Sequence, residues 1–218
     1  TIGTQIMYSI DHAGDRLIDK ATLSMTISDG EVWGKNAVVK KVSRQEKNET
    51  IPYYFGTSAT LSNHYKEVWI DFKGDWSVLF RVYDEGAAYR FVNSRRESFT
   101  VRNEEVGLNF PADFKAYINY TSGSKDKPAA KDRQLETAFE NFYDHTLLSK
   151  IDTRRLMVLP MLVDAGNGKK VTITESDLES YPGLYLNKNE GSKQLTSFFA
   201  AYPDVKHQGG GRNIQMLV

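Results

Sequence analysis

The clearest hydrophobic pattern in the chain runs from Trp76 to Phe91, WSVLFRVYDEGAAYRF, where large apolar residues alternate with polar or small ones on both sides of Asp84-Glu85-Gly86. A period of two sends successive side chains to opposite faces of an extended strand. The stretch predicts a β-hairpin with one wet face, turning at Asp84-Glu85 and using Gly86 as a residue with positive φ. Upstream, the runs YSI, ATLSMTI and EVWG, broken by Asp11-His12-Ala13-Gly14 and Asp29-Gly30, predict two or three strands, and Ala37 to Val42 predicts another. Arg44 to Thr50, RQEKNET, reads as a charged connector. Strands are expected near Thr60 to Tyr65 and Lys66 to Phe72, before Lys73-Gly74-Asp75 turns the chain into the central hairpin.

Downstream, Ser98 to Val101 and Gly107 to Phe110 continue the meander, and Ser122 to Asp132, polar and broken by proline, reads as a surface loop. Gln134 to His145 fits either a short amphipathic helix or a bulged strand, and periodicity leaves both open. Leu156 to Val163 is a continuous apolar run and predicts a strand buried on both faces. Asp164-Ala165-Gly166-Asn167-Gly168 turns it into a partner strand from Lys170 to Thr174. Thr174-Glu175-Ser176-Asp177 has the spacing of a capping box and predicts one helical turn, ended by Pro182. The sum is roughly 14 to 18 short strands and almost no helix. The fold class is all-β, two packed antiparallel sheets being the economical way to bury one-faced strands.

Composition sharpens this picture at three points. A chain of 218 residues is one large domain or two small ones; all-β sandwiches often run to this length as one unit, and it is read here as a single domain long enough to bury its own core. With 28 basic and 28 acidic residues it carries no electrostatic footprint for nucleic acid, and no apolar run is long enough for a membrane-spanning helix. The absence of cysteine excludes disulfides, thiolate metal sites and thiol catalysis. The chain opens on Thr1 and stops at Met216-Leu217-Val218, as if a strand were starting, so it is expected to be a fragment of a longer protein.

Most residues with chemical potential have a structural explanation. Asp84 and Glu85 fit turn chemistry. Glu175, Asp177 and Glu179 lack the central glycine and closing glutamate of a calcium loop and fit capping instead. The histidines His12, His64, His145 and His207 show no paired metal-ligand spacing. No nucleophile elbow is present, and Gly209-Gly210-Gly211 lacks the lysine of a phosphate loop. Trp33, Trp69 and Trp76 are read as core before they are read as a sugar-stacking platform.

Three blocks add a resemblance. RVYDEGAAYRF, FENFY (Phe139 to Tyr143) and LPMLVDAGNGKKVTITESDLESYPGLYL (Leu159 to Leu186) together resemble the amino-terminal domain of glycoside hydrolase family 97, from about residue 20 onward. The family comprises exo-acting α-glucosidases and α-galactosidases of the bacterial envelope. They have an N-terminal β-super-sandwich of galactose mutarotase-like fold, a (β/α)8 catalytic barrel and a small C-terminal β domain. The resemblance implies that this chain is the super-sandwich, non-catalytic alone, with the enzyme's own barrel as partner, an oligosaccharide as the intact enzyme's substrate and a periplasmic or secreted location. It also implies one metal ligand. Glu140, in Phe139-Glu140-Asn141-Phe142-Tyr143, matches the family's glutamate that reaches a calcium ion beside the substrate pocket, with Phe139 replacing the usual tyrosine. Glu136, four residues earlier, is a weaker candidate. One carboxylate cannot hold calcium alone, so the isolated domain is expected to bind it weakly or not at all. The alternatives are a free-standing carbohydrate-binding β-sandwich, which predicts sugar affinity through exposed aromatics, and a mutarotase-like enzyme, which needs a His and Glu acid-base pair in one cleft.

Overall fold

A computed structural model describes residues 3–28, 30–121, 126–136, 140–176, 178, 181–200 and 214–216. In chain order the strands are β1 (Ile6–His12), β2 (Asp15–Ile27), β3 (Val32–Trp33), β4 (Val39–Pro52), β5 (Thr60–Phe72), β6 (Trp76–Val82), β7 (Ala87–Asn93), β8 (Phe99–Leu108), β9 (Lys115–Tyr120), β10 (Asp144–Leu147), β11 (Met157–Gly166), β12 (Lys169–Ile173), β13 (Leu184–Lys188), β14 (Leu195–Phe199) and β15 (Ile214–Met216). Among the described residues the helical content is two 3-10 turns, Lys131–Glu136 and Leu148–Lys150, and every strand pair is antiparallel. The fold is all-β.

The chain forms two compact units, Thr1–Lys35 with Ser98–Val218, and Asn36–Glu97. The first holds a sheet ordered β1-β2-β8-β14-β13-β11-β9-β10, with β3 on β2, β15 on β8 and β12 on β11. Its core follows the period-two rule. Ala21, Leu23, Met25 and Ile27 of β2, Ala116, Ile118 and Tyr120 of β9, and Met161 and Val163 of β11 are all buried. On β11 the intervening residues are only half-buried and Pro160 is exposed, so this strand is fully buried on one face, not two. The apolar run misleads because Val158, Leu159 and Leu162 are apolar yet only half-buried. The turn after β11 is as expected: Gly166 pairs with Lys169, and the two intervening residues, Asn167 and Gly168, both take positive φ, 50° and 74°.

The second unit is a four-stranded meander, β4-β5-β6-β7. Arg44 to Thr50 is no connector but the middle of β4, paired residue by residue with Val68 to Ser62. Nearly all of β4 is exposed, so no hydrophobic alternation marks it. Its polar side chains pair across the ribbon instead, Asn63 donating to Glu49 at 2.7 Å and His64 meeting Glu46 at 2.8 Å. The two strands expected at 60–65 and 66–72 are one, β5. In the central hairpin Val82 pairs with Ala87, and a four-residue loop is closed by the Tyr83 N–H donating to the Gly86 carbonyl at 2.7 Å. Gly86 is not in the left-handed region, because a loop this long does not need the mirror-image turn of a two-residue hairpin. Positive φ falls instead at Gly74 (95°) and Asp75 (58°), where β5 turns into β6. Nor does β6 have a wet face at its start: Trp76, Ser77, Val78 and Leu79 are all buried. Ser77 stays satisfied there by donating to Asp71 at 2.6 Å, which also accepts from the Trp69 indole at 2.7 Å. Phe72 stacks on Trp76 at 4.1 Å between ring centroids.

Candidate functional site

Glu140 lies after the 3-10 turn Lys131–Glu136 and before β10, outside any regular element, and its side chain is exposed. Glu136 closes that turn. Of the segment that periodicity left open, the described residues show neither an α-helix nor one bulged strand: Gln134 to Glu136 close a 3-10 turn, and Asp144 and His145 open a four-residue strand. Beside Glu140, Phe142 is 97% exposed and Tyr143 47%. Asn141 ties the stretch down, its side-chain amide donating to the Tyr120 carbonyl at 2.9 Å.

That carbonyl belongs to a well-braced platform at the end of β9. The Tyr120 side chain is buried, its hydroxyl accepts from the Asp152 N–H at 3.0 Å, and the Arg155 guanidinium lies 4.3 Å from its ring centroid. Burial holds the Tyr120 phenol above its ordinary pKa, against the opposing N–H from Asp152. Next to it, Thr121 is bound to Leu156 through its backbone N–H at 2.9 Å and to Gln134 through its hydroxyl at 2.8 Å. Gln134, 2% exposed, uses its whole amide. Its oxygen accepts from Thr121 and from the Leu156 N–H at 2.9 Å, and its nitrogen donates to the carbonyls of Ala129 at 2.7 Å and Arg154 at 2.9 Å. One side chain thus fastens the 3-10 turn, the end of β9 and the loop before β11 together.

The far end of the segment is fixed as firmly. Asp113 accepts from the backbone N–H of Ser149 at 2.7 Å and from its hydroxyl at 2.6 Å, bonds that hold the Asp113 carboxyl below its usual range. Lys188, nearly buried at the end of β13, donates to the carbonyls of Leu148 at 2.7 Å and Ser149 at 3.0 Å. Burial pulls its pKa down while Asp113 opposes the shift. Lys131 is also pulled down by burial, against Asp152, and reaches Asn187 at 2.5 Å.

The other acidic candidates separate. Asp84 and Glu85 are exposed at the hairpin loop. Thr174 to Ser176 form no helical turn, and Asp177 and Glu179 lie outside the described residues. Glu175 instead binds the Leu184 N–H with both oxygens, at 2.8 and 3.0 Å, fastening the entry to β13, and burial raises its pKa. His12, His64 and His145 sit on three different strands, and His207 and Gly209 to Gly211 lie outside the described residues. Trp33 and Trp76 are core residues, as expected, whereas Trp69 is only half-buried. Among the described residues no three His, Asp or Glu side chains gather to hold a metal ion by themselves. What Glu140 offers is one exposed carboxylate. That fits a single position in a hard cation's shell of about six to eight oxygens and leaves the rest to other donors. Sequence reading missed Gln134, Asn141 and Lys188, because an amide or lysine acquires its role only from backbone groups that folding brings to it.

The geometry defines an all-β, antiparallel domain with the exposed carboxylate of Glu140 held beside a braced strand end. The chain belongs to the N-terminal family of glycosyl hydrolase 97, whose family model matches residues 1–209. It is 44% identical over all 218 residues to a retaining alpha-galactosidase of Bacteroides thetaiotaomicron and spans 33% of that protein's length. Among solved structures it superposes on a glycoside hydrolase family 97 enzyme from Pseudoalteromonas sp. strain K8, in complex with acarbose, with a TM-score of 0.71 at 18% identity, covering 90% of this chain and 29% of that one. A beta-arabinopyranosidase gives a TM-score of 0.73 at 21% identity, covering 98% of this chain and 35% of that one. At these identities the two structures speak for the fold alone.

Proposed function

We propose that the chain is the non-catalytic N-terminal domain of an exo-acting, retaining α-galactosidase of the bacterial periplasm or cell exterior. The observation that carries this reading is the 44% identity to a retaining alpha-galactosidase, extending over the whole chain yet confined to a third of the relative's length. That identity also favours galactosidase over glucosidase. In the proposal the domain is a super-sandwich that packs on the enzyme's own (β/α)8 barrel, walls one side of the substrate pocket and contributes Glu140 to a calcium ion. The barrel supplies the rest of the shell and the two carboxyl groups that, in a retaining glycosidase, protonate the leaving oxygen and attack the anomeric carbon. Bound calcium orients groups and stabilises charge near the reaction centre. An exposed Glu140 on a stretch anchored at one end by Asn141 supports the ligand role, since a ligand for a shared metal must project from its own domain.

The test compares the full-length enzyme with its Glu140→Gln variant on a chromogenic α-galactoside, with calcium and with chelator. The wild type loses activity on chelation and recovers it with calcium. Glu140→Gln needs at least about tenfold more calcium for half-recovery. Equal calcium requirements in the two proteins defeat the ligand role, and a full-length enzyme without α-galactosidase activity defeats the reading as a whole.

A further inference from the structure

Asp144 stands opposite Ile118 at the end of the β9–β10 ladder. Continued by two residues, that antiparallel register brings the chain near Phe142 alongside Tyr120, but the ladder has already stopped and Phe142 and Tyr143 are exposed. Where backbone pairing ends, a side chain takes over: the Asn141 amide donates to the Tyr120 carbonyl at 2.9 Å. The acceptor is among the best-fixed points of the unit. Tyr120 pairs with Met157 of β11, has its hydroxyl bound by Asp152 and its ring covered by Arg155, and adjoins Thr121, which Gln134 and Leu156 hold.

We propose that Asn141 is a positioning residue for Glu140: by hooking an otherwise exposed stretch to the Tyr120 carbonyl, it presents the neighbouring carboxylate in one place for a metal held jointly with another domain. This rests on the reading of Glu140 as a calcium ligand. The physical reason is entropic. A carboxylate on a loose backbone must be ordered when the metal binds, whereas an anchored one has already met that entropic cost in folding. An amide suits the task because it donates to a carbonyl, which a carboxylate at neutral pH cannot do. Partners that orient a metal ligand without touching the metal change affinity by about 10- to 100-fold when removed.

The test is calorimetric titration of calcium chloride into the metal-stripped, full-length enzyme, with Asn141→Ala, the nearly isosteric Asn141→Leu and Glu140→Gln compared with wild type. Melting of each calcium-free protein is followed alongside. Both Asn141 variants are expected to weaken calcium binding by at least about tenfold while melting with the wild type, and Glu140→Gln to weaken it further. Wild-type calcium affinity in both Asn141 variants, with affinity lost in Glu140→Gln, overturns the positioning role and leaves the ligand reading standing. Unchanged affinity in Glu140→Gln overturns both. Asn141 variants whose calcium-free melting falls in step with their affinity show a residue that merely stabilises the fold, which also ends the proposal.

Discussion

At the residue scale, the most consequential side chains are polar groups whose partners lie far away in sequence. Gln134 spends all four hydrogen-bonding positions of its amide on groups from residue 121 to residue 156. Gln134→Leu keeps most of the volume but strands the buried Leu156 N–H, leaves the Thr121 hydroxyl only its long 3.4 Å contact to the Leu156 carbonyl and frees the carbonyls of Ala129 and Arg154, so it is expected to cost about 2 kcal/mol in urea denaturation. A loss below about 1 kcal/mol shows that water replaces the amide. Glu67 gives a pH signature. Burial by itself raises the pKa of its carboxyl, yet hydrogen bonds from Arg81, at 2.7 Å, and from Gln45 outweigh burial and leave it below its ordinary value of 4.5. The unfolded chain therefore takes up the proton first as pH falls. This stabilisation is complete above the ordinary value and disappears as pH drops through the folded one. Between about pH 7 and pH 3 the wild type should lose more melting temperature than Glu67→Gln, and parallel losses count against the pairing. Neither role was legible beforehand: RQEKNET looks like a connector until β4 is seen lying beside β5.

At the element scale, turns and buried strands were readable because their signals are local. Asn167-Gly168 specified its hairpin since both residues tolerate the positive φ that a two-residue loop demands. Gly86 was misread because loop length, not glycine itself, decides whether positive φ is needed. A stricter case is Gly34, at φ 94°, where an added Cβ would run into the Leu23 carbonyl of β2. Gly34→Ala combines a left-handed backbone with a clash against main chain that cannot rotate away. It is expected to cost at least about 2 kcal/mol in chemical denaturation, whereas Gly168→Ala, with open space around its Cβ, bears the backbone strain alone, about 1 kcal/mol. Equal costs at the two sites indicate that β2 yields around position 34. The exposed ribbon β4–β5 marks the opposite limit: with few core-facing residues on β4, hydrophobic alternation has nothing to report.

At the scale of the whole molecule, the chain is an N-terminal domain of the family and spans a third of a curated relative. Its proposed chemistry therefore depends on residues outside it. If the full-length protein is the α-galactosidase we propose, kcat/KM for an α-galactoside should exceed that for the matching α-glucoside by at least about tenfold, because a pocket hydrogen-bonded to one hydroxyl configuration rejects its epimer. A reversed ratio assigns the enzyme to glucosides. The carbohydrate-binding alternative fares differently in its parts. Trp33 and Trp76, which a stacking platform would need at the surface, are in the core, while Tyr54 and Phe55 are exposed beyond the end of β4.

By itself the sequence determined the all-β class, most of the strands, the two glycine-marked hairpins and, through its resemblance, the family. These follow from period-two burial and from turn residues acting over a few positions, which any stretch of chain displays locally. Only the tertiary structure decided that RQEKNET pairs as a strand, that Glu175 fastens the entry to β13 and that Gln134 and Asn141 brace the stretch bearing Glu140. The reason is physical: a hydrogen bond from a polar side chain to a distant carbonyl leaves no periodic trace, and its partner exists at that place only once the sheet has assembled.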